Sequence, residues 1–484
     1  MHEEDTIMKY LATIGLETHV QLKTRTKMFC GCLLQTGCEP NTNVCPVCLG
    51  YPGALPVMNR QAVKFTVMTG MMLGCEIGRH ATFDRKNYFY PDMAKNYQIS
   101  ENVAPLCIGG GVTIQTPDGP KFIRINHIHL EEDAAKINHY VRHSGVDFNR
   151  GGTPLMEIVS EPDMESADDA IAYLTALKEM LIYAGVSDCN LEEGNMRSDV
   201  NISVRPEGQE KLGTKVEIKN MNTFKGIHAA IEYEVARQIA LIREGGSVIQ
   251  ETRRWDADLG ETQSMRNKEN AHDYRYFPEP DLVPVELTDE VLAAWRAELP
   301  ELPEARRARM VIEYGITEYD SGVIAADRAY ADFFEKAAHL CKPESSKQIA
   351  NWFISEVLRL LGESGKTLAD CRLTPEALAE LVTLLESRII NGPTAKELLP
   401  ELFEKGGMPK ALVDARGLGQ VSDAGALQAF VDQAVASNPK SVADYKAGKK
   451  AAAGWFVGQV MKLSKGKADP KLVGRLVAEK LASI

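Results

Sequence analysis

Apolar residues alternate with polar ones through much of the first 295 positions, then recur every three or four positions through much of the remainder. In Ile14-Gly-Leu-Glu-Thr-His-Val-Gln-Leu22, a strand that buries Ile14, Leu16, Val20 and Leu22 sets Glu17 and His19 together on its other face. Ile128-His-Leu-Glu-Glu-Asp133 is an aliphatic run ending in three acids, which is costly to bury unless cations compensate. Asp199 and Asn201 alternate with Val200 and Ile202, and Glu217 alternates with Val216 and Ile218. These segments predict acid-lined strands of one antiparallel sheet.

Beyond Pro303 the runs ARRARMVIEYG, SKQIANWFISEVLRLLGE and TPEALAELVTLLESRII predict helices. Thr374-Pro375-Glu376 supplies an N-cap with proline at the first helical position. Pro300 and Pro303 in PELPEAR mark a linker, and EKGGM near residues 404–408 marks a second break. The reading is an α+β chain with a sheet domain over 1–295, a helical domain over 296–405 and a small basic helical domain over 406–484.

Cys30-Gly-Cys32 and Cys45-Pro-Val-Cys48, twelve residues apart, have the spacing of a four-thiolate structural zinc site, with an iron–sulfur cluster as the alternative. Cys38 lies inside the loop and could compete as a ligand. The other five cysteines are scattered, so the pattern is a metal site plus buried thiols, not a disulfide framework. Hard oxygen ligands on the sheet select Mg2+, the usual companion of nucleotide phosphates, which points to an ATP–Mg2+ site. A solvated sheet face would give the same alternation on any one strand; four matched strands favour the site. Gly362-Glu-Ser-Gly-Lys-Thr367 ends like a phosphate loop, but Leu360 stands where that motif needs glycine, so it reads as a helix-ending turn.

Composition then narrows the class. The net charge is −12, from 55 Lys+Arg and 67 Asp+Glu, which excludes a protein that coats nucleic acid. From Ala436 to Ile484, however, ten basic residues face three acids, a tail of +7 on a body of −19. Such a tail suits phosphate contact, or else a solvated helical surface. No run of 18 apolar residues occurs and the N-terminus MHEEDTIMKY has no secretory pattern, so a cytoplasmic protein is expected. Asp84-Arg-Lys-Asn-Tyr-Phe-Tyr-Pro-Asp92 and Asp273-Tyr-Arg-Tyr-Phe-Pro-Glu-Pro-Asp281 mix aromatics and charges as a substrate-facing segment would, or as a surface strand with aromatic pairs would. His127, His129, His139 and His143 show no ligand spacing with thiols and read as structural histidines.

Taken in order, IGLETHVQL, the paired cysteines, YPGALPVMN, FDRKNYFYPDMAKNYQIS, HLEEDAAK, DFNRGGTPLMEIVSEPD, EEGNMRSDVNIS, GTKVEIKNMNTF, AHDYRYFPEPDL and AAGWFVGQVMKLSKGKADP resemble the GatB family, the B subunits of tRNA-dependent amidotransferases. His272 departs from the family's DDYRYFPEPDL. The resemblance implies a cradle domain on an antiparallel sheet like that of glutamine synthetase, followed by helical and tail domains that grip tRNA. It implies partners: an amidase-type A subunit that frees ammonia from glutamine, and a small C subunit. It implies ATP-dependent activation of the side-chain carboxylate of Glu-tRNA(Gln) or Asp-tRNA(Asn), then displacement of phosphate by ammonia. Carried over by motif, Glu17, His19, Glu131, Glu132, Asp199 and Glu217 are catalytic-pocket positions, with Glu17, His19, Glu132 and Glu217 on magnesium. Lys86, Tyr88, Lys95 and Asn220 line the pocket or an ammonia channel. A non-catalytic tRNA-binding scaffold and a ligase for small carboxylates are the competing readings; the first predicts no Mg2+-dependent ATP turnover, the second activity without tRNA.

Overall fold

The computed structural model describes residues 9–35, 37–265, 274–419, 424–446, 451–464, 468 and 470–484; His272 and Asp273 lie outside them. The architecture is α+β. The chain divides into two compact units, Met1–Leu302 and Pro303–Ile484.

The first unit is organised by a thirteen-stranded sheet. Ten strands form its continuous path: β1 (Tyr10–Gln21), β2 (Asp84–Asn87), β3 (Tyr97–Ser100), β4 (Gly119–Glu132), β5 (Pro154–Ser160), β6 (Met196–Pro206), β7 (Val216–Lys219), β8 (Thr252–Asp256), β9 (Glu261–Ser264) and β10 (Phe277–Pro278). Their order across the sheet is β9-β8-β7-β6-β1-β5-β4-β3-β2-β10. Every neighbouring pair on this path is antiparallel except β7 with β8, which run parallel. The purely antiparallel sheet expected from the alternation is therefore mixed: the long helix after β7 returns the chain in the same direction, which a tight turn cannot do.

Three helices, α1 (Arg60–Met72), α2 (Ala167–Tyr183) and α3 (Phe224–Arg243), begin at Asn59, Ser166 and Thr223, whose side chains accept from free backbone N–H groups of the first turn. Their apolar stripes meet one face of the sheet: Ile14, Leu16 and Val20 of β1 share a core with Tyr173, Leu174 and Leu177 of α2 and Ile227 and Ile231 of α3. With a strand period of two, covering that face fixes Glu17 and His19 on the other. A β-bulge between Val159 and Ser160 shifts the β5–β4 register beyond the acidic positions.

Among the described residues, the second unit carries helices and no strand. It holds two separate apolar cores, one from Met310 to Val413 and one from Leu427 to Leu481. The helix Pro375–Glu386 starts as predicted, with Thr374 accepting from the Ala377 N–H. Gly365 ends the preceding helix in the left-handed conformation, so the phosphate-loop look-alike is a helix-ending turn. Among the described residues no helix is long and apolar enough to cross a membrane.

Candidate active site and thiolate cluster

The register of five strands gathers two acidic clusters on the uncovered face. In the first, Glu17 lies opposite Asp199, and Glu217 opposite Asn201. Single carboxylate oxygens of Glu17, Asp199 and Glu217 lie within 4.8 Å of one another. Lys219 Nζ bridges Asp199 at 2.5 Å and Glu217 at 2.9 Å, while Asn201 Nδ2 donates to Glu17 at 2.9 Å and Thr252 Oγ1 to Glu217 at 2.8 Å. Burial works against charge on Lys219, but Asp199 and Glu217 outweigh it and raise its pKa. Burial likewise opposes ionisation of Glu217, and Lys219 reverses this, holding the carboxyl below its usual range.

The second cluster is His19, Glu131 and Glu157. Glu157 faces His19 across one strand boundary and His129 across the other. Its carboxylate lies 3.4 Å from His19 Nε2 and 3.2 Å from His129 Nε2, and His129 also comes within 3.7 Å of Glu131. Burial disfavours a charged His129, yet its bonds to Glu131 and Glu157 push it up to about 10. His19 is raised against the same desolvation by Glu157, Glu131 and Asp199. Despite its own burial, Glu157 is held well below the usual carboxylate range by the two rings. Three of the residues that organise this site, Glu157, His129 and Lys219, are absent from the set read by motif. The signal for Glu157 was present: it alternates with Met156 and Ile158, both fully buried.

An open cleft is lined by Asp199 of the first cluster and His19 and Glu131 of the second, together with Lys86, Tyr88, Tyr274, Arg197 and Lys219. Desolvation lowers the pKa of Lys86, but Glu131 and the adjacent tyrosines reverse it, so the ammonium is retained. The cleft thus offers oxygen ligands in groups beside basic side chains, a donor set that fits Mg2+ and an anionic phosphate.

Glu132 is elsewhere. As the neighbour of Glu131 it points through the sheet to the opposite side, where its carboxylate pairs with Lys95 and accepts from the Ile99 N–H at 3.1 Å. Lys95 and Glu132 line a second cavity with Lys27, Tyr97 and Cys48. Gly50 lets the chain pass there: at φ +66°, a Cβ would sit 2.8 Å from Lys95 Cγ. Asn220 reaches neither cavity; it occupies a turn at φ +72° and donates to the Trp255 carbonyl at 3.0 Å.

Sulfurs of Cys30, Cys32, Cys45 and Cys48 lie within 4.8 Å of one another, a soft four-sulfur set that fits zinc. Cys38 is outside it, bonded to Gln35 at 3.6 Å. The Cys48 thiol is brought down to about 4 against burial, by its bond with Cys30 first, then by the Cys45 amide and the Lys27 ammonium. The loop also carries a hairpin, Lys136–His139 with Ser144–Asp147. Asn41 donates to Asp147 and Val146, the Phe148 N–H donates to Asn41, and Lys27 Nζ donates to the Phe148 carbonyl at 2.9 Å.

Behind the site, Glu101 is fully enclosed; it accepts from the Leu130 and Leu106 N–H groups and burial raises its pKa to about 8. Its folded pKa lies above the ordinary 4.5, so between about pH 4.5 and 8 the folded state holds the extra proton and stability falls as pH rises. Glu101→Gln should flatten that decline; urea titrations at pH 5 and 8 check it, and an unchanged slope would contradict it.

A family model described as the GatB/GatE catalytic domain matches residues 12–293, and one described as the GatB domain matches residues 332–481. The chain belongs to the GatB/GatE family. Relatives named as the B subunit of aspartyl/glutamyl-tRNA(Asn/Gln) amidotransferase include those of Caldanaerobacter subterraneus subsp. tengcongensis, 50% identical over 476 residues, and Carboxydothermus hydrogenoformans, 49% identical over 481 residues. That of Persephonella marina is 49% identical over 474 residues. Each alignment covers 98% of this chain and 100% of the relative.

Proposed function

We propose that this chain is the B subunit of a glutamine-dependent tRNA amidotransferase, and that the cleft activates the side-chain carboxylate of Glu-tRNA(Gln), Asp-tRNA(Asn) or both. The observation that carries the reading is that two acidic clusters reach one cleft, through Asp199 and through His19 and Glu131, beside Lys86, Lys219 and Arg197 in a chain from this family. Phosphoryl transfer from ATP to a carboxylate joins two anions, so catalysis rests on positioning and charge neutralisation. Glu17, Asp199 and Glu217 would hold Mg2+, as would Glu131 and Glu157, with His19 joining them only once its ring gives up its proton; when bound, the ion neutralises phosphate charge. Lys86 and Arg197 supply fixed positive charge to the oxygens that become more negative, and His129 keeps Glu131 and Glu157 aimed.

Ammonia then attacks the acyl phosphate carbon and phosphate leaves with the bonding electrons. Bulk water would protonate ammonia, so a walled approach is needed; Tyr88, Lys86 and the Lys95–Glu132 pair are its proposed lining. Among the proposed partners, an amidase-type A subunit supplies the ammonia and a small C subunit joins the two. The four-cysteine loop holds structural zinc. The finer architecture we propose is a glutamine-synthetase-like cradle, a helical domain over 296–405 and a basic tail over 406–484 that contacts tRNA, working in the cytoplasm.

The test is amide formation on Glu-tRNA(Gln) by the chain with its partner subunits, supplied with ammonia directly. Product that requires both ATP and Mg2+ is expected. Amide formed equally without ATP, or on free glutamate without tRNA, would overturn the reading.

A further inference from the structure

Arg85 and Lys86 are neighbours on β2 and face opposite ways. Lys86 pairs across the ladder with Gln98 and lines the cleft; Arg85 pairs with Ile99 on the far side. Arg85 is therefore not among the residues that line the cleft, yet it carries a dense set of contacts. Its Nε and Nη2 bind both oxygens of Glu279 at 2.7 and 2.9 Å, Nη2 also binds Asp281 at 2.8 Å, and its guanidinium lies 4.3 Å from the Tyr97 ring centre. The Glu279 side chain is wholly buried and also accepts from the Asp281 N–H at 2.9 Å.

These bonds fasten a strap, Tyr274–Asp281, whose Phe277 and Pro278 pair with Arg85 and Asp84 at the sheet edge. Asn87 ties down its start, donating through its backbone N–H and Nδ2 to the Tyr274 carbonyl, both at 3.0 Å, and through Nδ2 to the Arg275 carbonyl at 2.8 Å. Pro278 and Pro280 stiffen the strap and remove two edge donors. Fixed at both ends, it lays the Tyr274 ring 4.7 Å from Lys86 Nζ and edge-on to Tyr276.

We propose that Arg85 is a positioning residue for the activation step: through Glu279 and Asp281 it holds the strap so that Tyr274 confines the Lys86 ammonium in the cleft, aimed at the phosphate that moves from ATP to the carboxylate. This rests on the proposed function of the cleft. The strap is a wall of the site and Arg85 is its fastening. The guanidinium fork matches the Glu279 carboxylate at two points, which lysine cannot do, so Arg85→Lys keeps the charge and loses the alignment.

Two readouts on the complex with its partner subunits test this. The first is independent of activity: the rate at which a limiting amine-acylating reagent labels Lys86, followed by mass spectrometry. Arg85→Lys should raise it about tenfold. The second is ammonia-supplied amide formation, in which Arg85→Lys should lower kcat about tenfold with the KM for ATP within about twofold. In a Tyr274→Ala background, Arg85→Lys should change kcat by less than about twofold, because the group it acts through is gone. If Arg85→Lys does not fold, Asp281→Asn, which removes the outer arm alone, should move both readouts in the same direction by a smaller factor. Unchanged labelling of Lys86 in a folded variant, or a full Arg85→Lys effect in the Tyr274→Ala background, would overturn the proposal. A wild-type complex with no ATP-dependent amide formation would instead overturn the proposed function, leaving the labelling to judge the strap.

Discussion

Glu157→Gln should lower ammonia-supplied, ATP-dependent amide formation by about two to three orders of magnitude, the equivalent of the several kcal/mol that positioned metal and charge supply to such a step. Glu157 is the shared counter-ion of His19 and His129, at 3.4 and 3.2 Å. Neutralising it loosens both rings and leaves Glu131 to compensate the buried His129 and the half-buried His19. The pH dependence has a definite sign. Glu157 has a lowered folded pKa, so its stabilisation is present above the ordinary value of 4.5 and is lost as pH falls through the folded value. His129 has a raised one, so its stabilisation is complete below 6.5 and is lost as pH rises through about 10. Both operate between pH 5 and 6.5, where the variant should lose most stability. The His129 ring titration, followed by NMR, should fall from about 10 toward neutrality. A variant that keeps wild-type turnover, or a His129 that still titrates near its original value, would contradict this arrangement.

The second large effect is expected at the thiolates. Cys48→Ser, or a strong chelator, should release the loop around residues 37–50 together with the hairpin it carries, since the binding energy of a structural zinc site is folding energy, about 10 kcal/mol or more in small zinc domains. The sheet has its own core, in which Ile14, Leu16 and Ile158 are essentially fully buried, so it should persist. Hydrogen exchange should therefore rise by orders of magnitude in 37–50 and 136–149 while β1 and β5 stay protected. Uniform loss of protection would mean that the cluster supports the whole unit, and no change would mean that it supports nothing.

The strands that carry Glu17, Asp199 and Glu217 were legible because each has fully buried aliphatic neighbours at period two. The cysteine loop was legible because thiolate pairs leave a local signature. The partition of the acids was not read, although part of it could have been: adjacent residues on a strand cannot share a face, so Glu131 and Glu132 had to separate. What no local pattern carries is register. That His129, Glu157 and His19 lie side by side follows from the pairing of β4, β5 and β1, in which His19 is more than a hundred residues from either partner in sequence. Asn220 was misleading for a similar reason: proximity to Glu217 along the chain ends at a turn whose backbone turns it away.

The separation of Glu131 from Glu132 also limits how chain length can vary in evolution. Inserting or deleting one residue between Ile128 and Glu131 would exchange the two walls, sending one carboxylate from the cleft to the Lys95 cavity and the other back. The bulge at Val159–Ser160 already absorbs a one-residue mismatch on the other side of His127, away from the acids. Length changes should therefore collect at the Asp118–Gly119 turn, where Gly119 adopts φ +113° with open space around it, and stop short of Ile125.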